Sequence, residues 1–251
     1  MAEKKVEKEE MEVCEICLGT GWIPVKEEGI EKVKRCSCFT ELLKKKVIST
    51  CNIPERYSEC TLDNYETHNS SQRTAKRIAE KFCKGYPGYE IGLFFVGPCG
   101  VGKTHLSVAI LKNLIENKLV DGIFYDFWEL LKSIQSTYSA TSLLTESQII
   151  SPVIEKEIII LDDLGAQKVT DWRRDILTYI LNKRYNEKKP TILSSNWHIS
   201  ADKDSNIEET LEDRIGTRLI SRIYEMCRIV EITGNDYRKS FKQDGYRHIL
   251  R

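Results

Sequence analysis

GLFFVGPCGVGKTHLSVAI, residues 92–110, reads as a buried strand, a tight loop and the start of a helix. Its middle, Gly97-Pro98-Cys99-Gly100-Val101-Gly102-Lys103-Thr104, matches the pattern G-x-x-x-x-G-K-[ST]. Backbone N–H groups that turn inward around a phosphate need residues without a Cβ where the chain closes on the anion. A lysine must then reach the terminal phosphates, and a hydroxyl must ligate Mg²⁺. The helix that opens at the loop points its positive end at the same anion. An apolar strand before the loop (GLFFV) and an apolar-periodic helix after it (HLSVAILKNLI) supply the context the pattern requires. The segment is therefore a nucleoside triphosphate site.

Downstream, Ile158-Ile159-Ile160-Leu161-Asp162-Asp163 is an apolar strand ending in two carboxylates. Such an ending is costly unless a cation or hydrogen bonds receive the charge. Asp162 suits Mg²⁺ held through water, and Asp163 suits orientation or deprotonation of an attacking water. A strand merely ending in a polar turn is the simpler alternative, which Leu164-Gly165 permits; the upstream phosphate loop favours the first reading. Thr191–Ser195 is another strand, and Asn196 at its end can hydrogen-bond a γ-phosphate or the water, although Asn also simply stops strands.

From residue 91 onward strand and helix alternate. Strands are expected at 91–96, 122–127, 157–162, 190–195 and 227–232, and helices at 103–117, 128–136, 172–187 and 211–225. Fully apolar strands of this kind suit a parallel sheet covered on both faces, an α/β fold. Residues 136–151 are rich in Ser and Thr and read as a loop or a poorly specified helix. Upstream, helices are expected at 39–49 and at 71–84, the latter capped by Ser70, with an irregular stretch from Ile53 to Asn69 between them. Leu211, Ile215, Leu219 and Ile223 give the last helix a core face, with Arg214, Arg218 and Arg222 as a row beside it. That row is either a solvated face, paired with Asp204, Glu208, Glu209, Glu212 and Asp213, or an arginine presented to a neighbour's nucleotide.

The 251 residues allow one good-sized domain and a small appendage. Thirty-eight basic residues balance 38 acidic ones, which argues against a uniformly basic nucleic-acid binder or a polyanionic tail protein. The balance conceals asymmetry: residues 202–213 hold six acidic groups and one basic, residues 214–251 nine basic and four acidic. No apolar run approaches membrane-span length, and residues 1–12 lack the apolar centre of a signal peptide. A cytoplasmic protein without membrane contact is expected. Of nine cysteines, Cys14, Cys17, Cys36 and Cys38 fall close together, a local site and not a disulfide framework. Four thiolates suffice for a closed tetrahedral zinc site, and Gly19 and Gly21 allow a tight knuckle with a hairpin between the pairs. A redox pair or an iron–sulfur cluster is the alternative. So short a segment cannot fold unaided, and the metal would supply much of its stability.

These residues resemble the DnaC/IstB family of AAA+ ATPases over roughly Ile53 to Arg238. GLFFVGPCGVGKTHLSVAI is similar to the family's phosphate loop, including the unusual His105 after Thr104. IIILDDLG resembles its Walker B strand and PTILSSN its sensor-1 strand. DRIGTRLISRIYEMCRIVEITGNDYR resembles its closing segment, where Arg222 matches the arginine-finger position, Arg218 a neighbouring interface arginine and Arg238 a sensor-2-like arginine. CEICLGTGW…RCSC…IPERY resembles the zinc-bearing members, loaders of the DnaI sort. The sequence departs from the family at Cys99, where proline is usual. A thiol at a helix N-terminus suggests ATPase inhibition by thiol reagents, but a small residue with no chemical role is the preferred reading. Tyr138 can stack on a base or be a partly buried tyrosine.

The resemblance implies a P-loop NTPase fold of the AAA+, ASCE type, a five-stranded parallel sheet between helices, preceded by a small zinc ribbon or knuckle. The organisation expected is a mobile charged N-terminus (1–12), a zinc segment with linking helix (13–52), an AAA+ ATPase domain (53–238) and a basic tail (239–251). The implied activity is ATP hydrolysis with Mg²⁺, slow and stimulated by DNA or a partner. Lys103, Asp163, Asn196, Arg222 and Arg238 would act in it, Arg222 on a neighbouring subunit through head-to-tail self-association. The implied partners are single-stranded DNA and a hexameric DnaB-like helicase. The alternatives are an ATP-binding helper for a transposase and a nucleotide-switched DNA-binding module with little turnover. A small-molecule kinase is least favoured, because no arginine-rich lid follows the phosphate loop.

Overall fold

Five short apolar runs form one parallel sheet: β3 (Gly92–Val96), β4 (Gly122–Asp126), β5 (Ile158–Asp162), β6 (Thr191–Ser195) and β7 (Cys227–Glu231). Their order is β4-β5-β6-β3-β7, and every pairing is parallel. The computed structural model describes residues 13–27, 30–139, 143–167, 170–200 and 209–239. The expected mobile terminus (1–12), the tail beyond Lys239 and residues Asp204 and Glu208 of the acidic stretch lie outside them.

Period-two alternation splits each strand between two cores. Leu93 and Phe95 pack with Ile158, Ile160 and Ile192 on one face. Phe94 and Val96 pack with Ile159, Leu161 and Leu193 on the other. Phe94 and Phe95 are fully buried, contributing about 2–3 kcal/mol each. Helices α2 (Ser70–Gly85) and α3 (Lys103–Lys118) cover the first face. The second is covered by α4 (Phe127–Ser136), α5 (Glu146–Glu155), α6 (Asp171–Asn186), α7 (Leu211–Ile215) and α8 (Thr217–Met226).

One sequence alternative is decided and two expectations are corrected. Residues 136–151 contain a real helix, α5: Thr145 accepts from the Gln148 N–H while Gln148 Oε1 receives the Thr145 N–H, a reciprocal capping box. Asn69, not Ser70, caps α2, its Oδ1 accepting from the Gln72 N–H at 2.9 Å. The helix expected over 211–225 breaks at Gly216, whose φ of 95° ends α7 and starts α8. Arg214 therefore leaves the row that Arg218 and Arg222 share.

The chain divides into two compact units, Met1–Lys46 and Val47–Arg251. The first holds an antiparallel hairpin, β1 (Trp22–Glu27) and β2 (Ile30–Arg35), with Trp22 opposite Arg35. Helix α1 (Ser37–Thr50) begins in it. Among the described residues no helix is long and apolar enough to cross a membrane.

Candidate functional site: a phosphate-loop cleft and a four-cysteine centre

β5, β6 and β3 are adjacent in the sheet, so the phosphate loop, Asp162-Asp163 and Asn196 emerge side by side at their C-terminal ends. Ligands of open α/β sheets bind in that crevice. Here it is a cleft of about 830 Å³, lined by the loop from Cys99 to His105 and by Asp126, Asp162, Asp163, Asn196 and Arg238. Gly97, Gly100 and Gly102 all have positive φ, 150°, 78° and 98°. A Cβ on Gly97 would lie 1.9 Å from the Ile232 carbonyl, so no other residue type fits there.

Lys103 is buried and donates to the Gly97 and Pro98 carbonyls, both at 2.7 Å. Burial lowers its pKa, against the opposing pull of Cys99, Asp162 and Asp163. The Thr104 hydroxyl donates to both Asp162 carboxylate oxygens, at 2.9 and 3.1 Å, and Ser194 Oγ donates to Asp162 as well. Burial raises the Asp162 pKa despite the Ser194 and Thr104 hydrogen bonds. A buried carboxylate touching the loop hydroxyl is a donor set suited to a divalent cation, and Thr104 with Asp162 would hold Mg²⁺. Asp163 sits at a positive φ of 58°, its N–H donating to Ser194 Oγ at 3.0 Å. Asn196 Nδ2 donates to Asp163 Oδ1 at 2.6 Å. Burial, then the nearby Asp126 carboxylate, raises the Asp163 pKa, with Lys103 opposing.

His105 lines the cleft with its ring already engaged within the protein. Its ring bonds the Thr61 carbonyl at 2.9 Å and lies edge-on to Tyr65, with burial lowering its pKa. Tyr65 in turn donates to the Val101 carbonyl at 3.0 Å, so these two rings, both lining the cleft, brace the loop. Pro98 and Val101 contribute backbone, and Cys99 is exposed at the cleft. Arg238 lines the cleft, on a segment whose Tyr237 N–H donates to the Gly100 carbonyl at 3.1 Å. Arg222 does not line it. Its guanidinium lies 4.2 Å from the Tyr185 ring and 3.7 Å from Glu225. Sequence reasoning missed Ser194, whose hydroxyl serves both Walker-type aspartates. The available signal was Ser194-Ser195 ending an otherwise apolar strand.

In the first unit the Sγ atoms of Cys14, Cys17, Cys36 and Cys38 all lie within 4.8 Å of one another. Cys14 and Cys36 are 3.8 Å apart, Cys17 and Cys38 3.4 Å. A zinc–sulfur bond of about 2.3 Å in a tetrahedron puts sulfurs about 3.8 Å apart, so the set fits zinc. Backbone N–H groups, Cys17 first and then Ile16, bring the Cys14 thiol down to about 7, while hydrogen bonding with Cys17 and then Cys36 pushes the Cys38 thiol strongly up, so the set shares protons that a bound metal would displace. Among the described residues of this unit only Cys17, Gly21 and Cys36 are buried. Among these described residues the cysteines are the organising centre.

The fold and cleft define an ATP-binding P-loop protein of the AAA+ class. The family described as "IstB-like ATP binding protein" matches residues 43–245, and the chain belongs to that family. It is 24% identical over 207 residues to the replicative helicase loader DnaC of Buchnera aphidicola, covering 82% of this chain and 76% of that protein. It is 26% identical to the phage-like element PBSX protein XkdC of Bacillus subtilis, covering 93% and 87%. Among solved structures, the DnaC helicase loader superposes with a TM-score of 0.63 at 35% identity, covering 71% of this chain and 99% of that one. DnaI superposes at 0.60 with 26% identity, covering 72% and 95%.

Proposed function

We propose that this protein hydrolyses ATP to load a hexameric DnaB-like helicase onto single-stranded DNA. The observation that carries the reading is the convergence of Lys103, Thr104, Asp162, Asp163 and Asn196 on one cleft, in a chain similar to proteins named helicase loaders. Lys103 exchanges its loop carbonyls for the terminal phosphates, and the positive end of α3 faces the same charge. Thr104 and Asp162 would hold Mg²⁺, which would supply positive charge beside the phosphates. Asp163, with Asn196 fixing one carboxylate oxygen, orients the attacking water and accepts its proton. Arg238 faces the phosphates of its own subunit. Arg222, outside its own cleft, acts on a neighbour's nucleotide, which requires head-to-tail packing.

An aromatic and basic cluster supports contact with single-stranded DNA. Arg173 lies 4.2 Å and Lys132 5.3 Å from the Trp128 ring, and Tyr138 meets Trp172 edge-on. Aromatic faces beside cations stack bases without sequence preference. The resemblance to IstB keeps a second reading, a transposase helper in place of a helicase loader. The test measures phosphate release with and without single-stranded DNA, together with co-purification against a DnaB-like helicase and a transposase. DNA-stimulated release and helicase capture are expected. Capture of the transposase alone overturns the loader reading, and nucleotide binding without release leaves a nucleotide-switched module.

A further inference from the structure

Arg214 belongs by spacing to a row that reads as a solvated face or as arginines presented to a neighbour, yet its side chain is only 10% exposed. The break at Gly216 turns it inward. α7 is fixed by its own capping box between Thr210 and Asp213, and Leu211 and Glu212 donate their N–H groups to the His198 and Ile199 carbonyls, at 2.7 and 3.1 Å. From this short helix Arg214 reaches three things. Nη1 donates to the Gly165 carbonyl at 2.8 Å and to that of Ala166 at 3.4 Å. Nη2 donates to Glu209 at 2.7 Å. The guanidinium plane lies 3.4 Å over the Trp197 ring. A planar fork can hold two acceptors and a ring face at once, which a lysine cannot.

Those contacts fall on both sides of the Asp163–Asn196 pair. Gly165 and Ala166 belong to the turn that Asp163 opens, with the Ala166 N–H donating to the Asp163 carbonyl at 3.2 Å. Trp197 directly follows Asn196. β6 holds the near side of the turn, through Leu164 N–H to the Ser194 carbonyl at 2.8 Å and Ser195 Oγ to the Leu164 carbonyl at 2.7 Å. Arg214 holds the far side. Its Nε is buried without a partner among the described residues, a cost to stability that suits a side chain held for position.

We propose that Arg214 is a positioning residue for ATP hydrolysis, clamping the Asp163 turn against the Asn196–Trp197 strand end so that the two side chains meet the attacking water in register. The inference rests on the reading of Asp163 as the water-orienting carboxylate. Because Gly216 alone separates α7 from α8, displacement of the helix that carries Arg218 and Arg222 reaches the hydrolytic pair through this clamp.

The test compares full-length wild type, Arg214→Met, Arg214→Lys and Asp163→Asn for ATP turnover with Mg²⁺ and single-stranded DNA. Affinity is read separately with a fluorescent ATP analogue. Arg214→Met is expected to lower kcat on the order of tenfold, because a small misplacement of catalytic groups is amplified in rate, with Kd changed less than about twofold. Arg214→Lys falls between it and wild type. Wild-type kcat in Arg214→Met, or an equal loss in kcat and affinity, overturns the proposal. If Arg214→Met does not fold, Arg214→Lys decides: wild-type kcat there overturns it. Turnover by Asp163→Asn at the wild-type rate instead overturns the reading beneath it.

Discussion

The Asn196 side-chain amide donates to the Asp163 carboxylate at 2.6 Å, joining the ends of β6 and β5 at the cleft. The pair aims one carboxylate oxygen by occupying the other. Asn196→Ala frees the carboxylate to rotate without removing its charge. Turnover is expected to fall about 100-fold, the scale on which misplaced catalytic groups cost rate, while ATP affinity stays within about twofold. Turnover and affinity falling together would assign Asn196 to binding.

The same carboxylate sets a pH dependence. Burial and then Asp126 raise the Asp163 pKa above the ordinary carboxylate value, so Asp163 takes up its proton at a higher pH than a solvated aspartate as the solution is acidified. Since only the ionised form accepts a proton from water, the acid limb of kcat lies correspondingly high. Asp126→Asn removes a repelling charge and preserves a side-chain acceptor for the α4 cap it makes with Glu129. The acid limb should shift to lower pH in this variant. An unmoved limb would exclude Asp163 as the titrating group.

Asp162 illustrates function kept against stability. Its pKa is raised, chiefly by burial, so the folded state binds the proton more tightly than the unfolded chain. The stabilisation this confers is present below the unfolded pKa and lost as pH rises through the folded value, above which the ionised group is destabilising. Asp162→Asn should therefore melt at a higher temperature than wild type without Mg²⁺ and nucleotide. Wild type should gain stability from Mg·ATP and the variant should not. A lower melting temperature for Asp162→Asn contradicts this.

Local patterns in the sequence were enough for the sheet and for the phosphate loop. Each strand is a short apolar run, and the loop's glycines, lysine and threonine are contiguous. What escaped depended on contacts distant in sequence or on a single residue's backbone freedom. Gly216 breaks a helix whose apolar spacing, Leu211 to Ile223, continues across it. Helix α5 hides in a Ser/Thr-rich stretch and contains Pro152, yet its capping box and the buried Ile150 and Val153 hold it. Arg184 lies in the last turn of α6, and nothing near it in the sequence foretells a fully buried side chain.

Arg184 donates to Thr191 Oγ1 and to the carbonyls of Val153, Ile154, Lys156, Glu157 and Pro190. It thus ties the end of α5 and the entry to β5 to the start of β6, and burial lowers its pKa to about 10. Arg184→Met matches the volume but leaves buried carbonyls unpaired, at about 1–3 kcal/mol for each fully buried group. A loss of about 3–5 kcal/mol in denaturant unfolding is expected. A loss under about 1 kcal/mol would mean that water replaces the guanidinium.

The cysteine centre makes the last prediction, because among the described residues of its unit only Cys17, Gly21 and Cys36 are buried. Purified protein should carry about one zinc per chain, bound by four thiolates. Cys36→Ser removes a buried ligand and should abolish zinc content. Arg35 stacks on Trp22 and Phe39 in the same unit, 3.8 and 4.1 Å from their ring centres, so Trp22 emission should report the loss. Every residue lining the ATP cleft belongs to the second unit, and affinity for ATP should stay within about twofold, the behaviour of independent sites. Full zinc content in Cys36→Ser excludes this ligand set. Iron with visible charge-transfer absorption in the wild type would replace zinc with a cluster.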